Sequence, residues 1–157
     1  MIILFLAFSM LFSFQGTNQS KNCYCRKAWD QSPKLGNIFT TMNGGRVKAI
    51  RGVVSYPNGE VMEDAVVEVF KSPPKLNPDS YTYEDVERIT RGDRKAACRT
   101  PRNGRFCFKH LRAGKYLLRV GHLYDAQFSA VHVILILNPK ARRSSRNELR
   151  IELPLSI

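Results

Sequence analysis

The chain has 157 residues, 43% of them apolar and 10% aromatic, and a formal net charge of +12. That length holds one core of ordinary size and excludes two independent ones. The apolar content excludes a disordered polyelectrolyte, so the basic surplus belongs on the surface.

Residues 1–16 read MIILFLAFSMLFSFQG, in which Ile2 to Phe14 form an apolar-dominated run without an acidic group. The run has the length of a signal-peptide core and is short for a bilayer span. It predicts export, with cleavage near Gly16; a retained membrane anchor is the alternative. A lipoprotein anchor at Cys23 is disfavoured, because Lys21 and Asn22 stand where small and apolar residues are needed. Residues 17–45 are polar and Gly-rich, with no sustained period of either 2 or 3.6. They predict a leader or linker, with Trp29 packing back onto the domain.

From residue 46 the pattern is that of strands. Val47 to Tyr56 alternates and ends at the turn Pro57-Asn58-Gly59. Ala65 to Phe70, AVVEVF, is a β-branched run in which Glu68 breaks one apolar row. Residues 71–95 interrupt the series with Ser72-Pro73-Pro74 and Asn77-Pro78-Asp79, a loop length usually found in functional or mobile segments. Within it Thr82 and Asp85 can cap a short helical turn through Ile89. Strands resume at Ala96 to Thr100, Arg105 to Lys109 and Lys115 to Val120, where Tyr116, Leu118 and Val120 share a face. Val131 to Leu137 is apolar except for His132 and belongs in a sheet centre. Glu148 to Leu153 alternates throughout, and Pro154 ends it. About seven short strands joined by Gly, Pro and Asn turns predict an all-β fold, a seven-stranded antiparallel Greek-key sandwich of transthyretin-like or immunoglobulin-like type. The organisation expected is therefore a signal peptide at 1–16, a polar segment at 17–45 and a sandwich at 46–157.

Four cysteines, Cys23, Cys25, Cys98 and Cys107, make two disulfides the natural expectation in an exported domain. In CRTPRNGRFC, a four-residue loop from Pro101 to Gly104 sets Cys98 directly opposite Cys107, within disulfide reach. A two-residue Asn103-Gly104 turn instead sets Cys107 opposite Thr100. With Cys98 and Cys107 paired, Cys23 and Cys25 are left to each other or to a second molecule; a crossed arrangement with the hairpin cysteines is the remaining possibility. Zinc is disfavoured because C-x-C with a distant pair lacks the usual ligand spacing.

The stretch Gly52 to Val54, Pro57-Asn58-Gly59, Ala65-Val66-Val67, Thr100, Asn103-Gly104-Arg105-Phe106, Leu111, Ala113-Gly114-Lys115-Tyr116 and Leu118-Arg119-Val120 form one ordered set. It resembles the carboxypeptidase regulatory-like domain, a transthyretin-like sandwich also described as a carbohydrate-binding-like fold. The resemblance covers residues 47–155 and implies an exported, non-catalytic module of the kind appended to peptidases, outer-membrane receptors and other envelope proteins. The long insertion at 71–95 departs from the family. With no catalytic domain following in the sequence, the module is expected to stand almost alone.

Catalytic patterns are wanting. His110, His122 and His132 never precede Glu at H-x-x-E spacing, so a metallopeptidase is not expected. The C-terminus Leu153-Pro154-Leu155-Ser156-Ile157 lacks the Tyr-Arg-Gly-Ser tail of transthyretin-like purine-pathway hydrolases. No phosphate loop or G-x-S-x-G occurs. His132 reads as a hydrogen-bonded core residue, and His110 and His122 as strand-end residues in reach of solvent. Lys48 is the nearest candidate for an intramolecular isopeptide bond, but a strand lysine normally faces water.

Lys140, Arg142, Arg143 and Arg146 cluster in one loop, and Arg91, Arg94, Lys95, Arg99, Arg102 and Arg105 surround the expected hairpin. These loops could meet an anionic surface, although a solvated face explains them as well. Neither cluster interleaves aromatics for base stacking, so no nucleic acid is expected. Arg91-Gly92-Asp93 spells an integrin tripeptide, which three common residues in a polar loop produce by chance. No cofactor or metal is expected, and the sequence specifies neither ligand-binding residues nor an oligomeric state. The function expected is an exported, non-enzymatic sandwich, secreted or periplasmic, that meets an envelope or secreted protein through edge strands or the 71–95 loop at the bacterial cell envelope. Carbohydrate recognition through Tyr81, Tyr83 or Trp29 is the alternative.

Overall fold

The computed structural model describes residues 25–28, 32–33, 39–140 and 148–156. Nine strands and one helix follow in chain order: β1 (Arg26–Lys27), β2 (Phe39–Val47), β3 (Ile50–Ser55), β4 (Ala65–Lys71), α1 (Tyr83–Thr90), β5 (Arg94–Arg99), β6 (Arg105–Phe108), β7 (Gly114–His122), β8 (Ala130–Leu137) and β9 (Leu149–Glu152). They form a six-stranded sheet in the order β1-β5-β4-β7-β8-β2 and a three-stranded sheet in the order β6-β3-β9. The expected segments hold β3 to β9, so the all-β class is correct. The finer expectation of seven antiparallel strands is not met. β1 and β2 are added, and β2 pairs with β8, and β3 with β9, in parallel. The segment read as one strand from Val47 to Tyr56 is divided at Lys48 and Ala49, where the chain leaves one sheet for the other.

β2 also runs across the boundary expected between residues 45 and 46. Its polar sequence, FTTMNGGRV, hid it, because an edge strand needs no continuous apolar face. A register shift between Asn43 and Gly45 marks a bulge. There Gly45 adopts φ 67°, and its N–H donates to Asn43 Oδ1 at 2.8 Å. The signal segment expected at 1–16 lies outside the described residues.

The inner faces of the two sheets make the main core. Val67 and Val69, Leu118 and Val120, and Val131, Val133 and Leu135 meet Ile50, Val54, Phe106, Leu149 and Ile151. The alternate residues of the central strands are covered as well. Phe70, Leu117 and Ile134 lie beneath Val86 and Ile89 of α1, with Leu76 and Tyr81. Val66 and Ala97 meet Ala28 and Leu123. Burial on both faces is why β4 and β8 read as nearly unbroken apolar runs.

The 71–95 insertion is therefore a third layer. Thr82 Oγ1 accepts from the Asp85 N–H at 3.2 Å, and the Asp85 carboxylate accepts from the Thr82 N–H at 3.0 Å. This is the expected capping box, and it holds the Asp85 carboxyl below the ordinary carboxylate range, chiefly through the Thr82 N–H. Lys115 ties the preceding loop to the sheet by donating to Pro74 O at 2.8 Å and also to Leu76 O.

The expected Cys98–Cys107 pair is corrected. Cys25 is joined to Cys98, with Cα atoms 5.6 Å apart; Cys107 is also disulfide-bonded, its partner lying outside the described residues, as does Cys23. The hairpin between β5 and β6 does not form, because Pro101 to Gly104 carries the chain from one sheet to the other. Cys98 stands in register with Lys27 and Val67, whereas Cys107 stands beside Arg51. The crossing puts Phe106 between the sheets at 2% exposure, where a hairpin would have left it beside Arg99. Thr100 fixes the corner: its hydroxyl donates to Met62 O at 2.7 Å and accepts from the Ala65 N–H at 2.9 Å. Disulfide bonding fits an oxidising, extracytoplasmic setting. No helix among the described residues is long and apolar enough to cross a membrane.

Candidate functional site

Each of the three central strands carries a polar residue in an otherwise apolar stretch, and the registers align them. Glu68 stands opposite Arg119, Arg119 opposite His132, and His132 opposite Thr41 of β2. The row crosses the helix-side face of the six-stranded sheet between two apolar clusters. Glu68, 1% exposed, accepts from Arg94 Nη1 at 2.7 Å, Arg119 Nε at 2.6 Å and Ser32 Oγ at 3.2 Å. Arg119 also lies over the Phe70 ring, 5.3 Å from its centroid. Two guanidinium groups thus share one buried carboxylate.

The Arg119 charge also acts on His132. The side chain is buried as expected, and burial first, then the Arg119 charge, lower its pKa to about 4. The imidazole is neutral at physiological pH. Beyond it the row opens at the sheet edge, where Thr41, Met42 and Asn43 with Pro78, Asp79 and Tyr81 line a cleft of about 230 Å³. The Tyr81 hydroxyl donates to His132 O at 2.8 Å, and burial raises its pKa. Asn43 Nδ2 donates to Asp79 Oδ1 at 2.5 Å, tying the loop to the edge strand. The arrangement offers an aromatic ring, a carboxylate, an amide and a hydroxyl to a small polar ligand. Among the described residues no group of His, Cys, Asp and Glu could hold a metal ion.

In the sequence Glu68 interrupts its strand, His132 belongs to a core strand and Tyr81 is an available aromatic, but no local pattern joins them. The signal was one polar residue in each central strand; register, a long-range property, was missing. The other candidates are dispersed. Tyr83 is exposed on α1 and donates to Glu87 at 3.0 Å, and Trp29 lies outside the described residues. His122 Nδ1 accepts from the Asp125 N–H at 3.0 Å and serves a turn, while His110 is exposed with φ 64°. Lys48 is half-buried in the connection between β2 and β3.

The cations at 91–105 do not make a free basic patch. Arg91 pairs with Glu87, Arg94 with Glu68, Lys95 with Asp93, Arg99 with Asp64, Arg102 with Glu63 and Arg105 with Glu148, at distances from 2.7 to 3.8 Å. Arg91-Gly92-Asp93 occupies the exposed turn between α1 and β5. Lys140 is exposed; Arg142, Arg143 and Arg146 lie outside the described residues.

No protein-family model and no curated protein matches the chain. Among solved structures it is similar to catechol 1,2-dioxygenase from Pseudomonas arvilla C-1, with 10% identity, 83% of this chain and 62% of that one covered, and a TM-score of 0.37. For 3-chlorocatechol 1,2-dioxygenase from Rhodococcus opacus 1CP the values are 12%, 83%, 64% and 0.37. For chlorocatechol 1,2-dioxygenase from Pseudomonas putida they are 14%, 80%, 70% and 0.33. The chain spans less than two thirds of the first two, and at these scores the likeness carries no argument about activity.

Proposed function

We propose that the chain is an exported, non-catalytic β-sandwich module that binds or braces another protein at the bacterial cell envelope. The observation that carries this reading is β2, which spans nine residues and pairs on one side only among the described residues. An edge of that length presents a row of backbone donors and acceptors to which a partner strand can add. Thr40, Thr41 and Asn43 keep it polar and exposed, so the isolated module stays soluble while the edge remains available. The ion pairs that absorb Glu68, Arg94 and Arg119 support a structural role for the most buried charges. A photo-crosslinking residue at Thr40 should give one discrete adduct with an envelope protein, and the same residue at Glu84 on α1 none. No adduct from Thr40, or equal adducts from both, would remove the edge as the contact.

The family proposed is the carboxypeptidase regulatory-like, transthyretin-like sandwich, with β3 to β9 as its seven-stranded core. The glycines of the resemblance support it. A Cβ at Gly52 would lie 2.3 Å from Leu149 O and 2.8 Å from the Phe106 ring, and Gly104 adopts φ 65°. Each supplies a close approach or a turn that other residues resist.

A second reading is carbohydrate recognition at the cleft beside Tyr81, favoured by Asp79, Asn43 and Thr41 around one aromatic ring. A glycan array should then return hits that Asp79→Ala abolishes; an array without hits removes this reading.

A further inference from the structure

Connections at opposite ends of the sandwich differ in charge. Lys48 and Ala49 join β2 to β3, residues 109–113 join β6 to β7, β4 leaves into residues 72–75, and β8 leaves into Asn138, Pro139 and Lys140. The registers put all of these at one end. Val47 stands opposite Leu137, Leu137 opposite Gly114, Lys71 opposite Tyr116 and Ile50 opposite Phe108. None of these stretches contains Asp or Glu; the α1–β5 turn, brought to the same end by Arg94 opposite Phe70, holds Asp93, which pairs with Lys95. At the other end, residues 56–64 and 123–129 hold Glu60, Glu63, Asp64 and Asp125.

The cations of the first end are also unneutralised. Arg46, Lys75, Lys109, Arg112 and Lys140 are exposed and Lys48 half-buried, and among the described residues none of them is ion-paired. This distinguishes them from the paired cations at 91–105. The closest carboxylates of the helical layer are engaged, Asp85 by Arg88 and Glu87 by Arg91. Among the described residues the exposed large apolar side chains Val61, Tyr124 and Leu155 sit at the opposite end and Tyr83 on α1, and the one exposed aromatic ring at the cationic end is the His110 imidazole.

We infer that this end of the sandwich, formed by the β2–β3 and β6–β7 connections with the exits of β4 and β8, docks on an anionic phospholipid surface through headgroup charge alone. Turns ending at a common level suit a plane of headgroups, and the opposite end, where Glu63 and Asp64 are paired with Arg26, Arg99 and Arg102, leaves the unpaired cations to face that plane. The exposed apolar side chains there are the small Pro73, Pro74, Ala113 and Pro139, so binding is superficial and sensitive to salt. The inference is independent of the β2 contact, because the edge runs along the side of the sandwich.

The test is co-sedimentation of the full, oxidised chain with vesicles of phosphatidylcholine alone or mixed with phosphatidylglycerol, at low and high salt. Binding is expected only with phosphatidylglycerol and only at low salt. Neutralising Lys48→Gln, Arg112→Gln or Lys140→Gln should each weaken it about fivefold, and the triple variant about a hundredfold. A control triple, Lys27→Gln, Arg102→Gln and Arg150→Gln, removes the same net charge elsewhere and should retain near-native binding. Far-UV circular dichroism identical to the parent chain is required of both triples. Equal losses in the two triples would overturn the inference in favour of unoriented net charge. No binding to anionic vesicles, or binding to soluble heparin alone, would overturn the lipid assignment.

Discussion

At Glu68 one buried carboxylate takes ion pairs from both Arg94 and Arg119, so its loss removes a shared counterion from each. Glu68→Gln preserves shape and should cost about 3 kcal/mol, read as a lower urea midpoint at unchanged m-value. His132 provides a second test through pH. Its folded-state pKa of about 4 lies below the unfolded 6.5, so on acidification the unfolded chain takes up the proton first. The stabilisation is complete above pH 6.5 and lost progressively as pH falls toward 4. The gap corresponds to on the order of 3 kcal/mol. His132→Phe should flatten stability against pH across that window, and an unaltered slope would contradict the assignment. Gly52→Ala is expected to cost about 1–3 kcal/mol by overpacking, since Leu149 O is a backbone atom that cannot swing aside.

Elements differ in how far the sequence revealed them. β3 to β9 were legible because strand period, β-branched residues and turn chemistry agree in each. α1 was legible from Thr82 and Asp85 alone, although a single capped turn was expected and eight residues formed. The further turn is held by Val86 and Ile89 against Phe70 and Leu117, a contact made by tertiary packing. Thr82→Ala should therefore cost only about 1 kcal/mol and raise hydrogen exchange locally in α1. β1 and β2 were illegible: two exposed residues and a polar, glycine-bulged edge strand carry no periodic signal, and their partners β5 and β8 are remote in sequence. The cysteine pairing failed for the same reason, since local spacing favoured a hairpin that the burial of Phe106 excludes. The Cys25–Cys98 bond closes a separation of 73 residues, so the double variant Cys25→Ser with Cys98→Ser should lose about 4 kcal/mol on the chain-entropy model.

Taken whole, the molecule has two sheets, a helical layer and charge separated along its length. Sequence composition gave the size of the basic surplus but not its arrangement: cations adjacent in the chain, such as those from Arg91 to Arg105, are neutralised by carboxylates from other elements. Cations scattered through the chain, from Arg46 to Lys140, gather at one end. The candidate cleft was illegible for a related reason, because Tyr81 and Thr41 meet only after the insertion folds back over the sheet. The β2 edge, the cleft beside Tyr81 and the Arg46 and Lys48 cations all require the N-terminal segment to be built into the six-stranded sheet of an oxidised sandwich. Non-reducing peptide mapping of the native protein tests that most directly. A Cys25–Cys98 peptide is predicted, with none joining Cys98 to Cys107. A Cys98–Cys107 peptide would contradict the account, for it would place β5 and β6 in one hairpin and leave the N-terminal segment unattached.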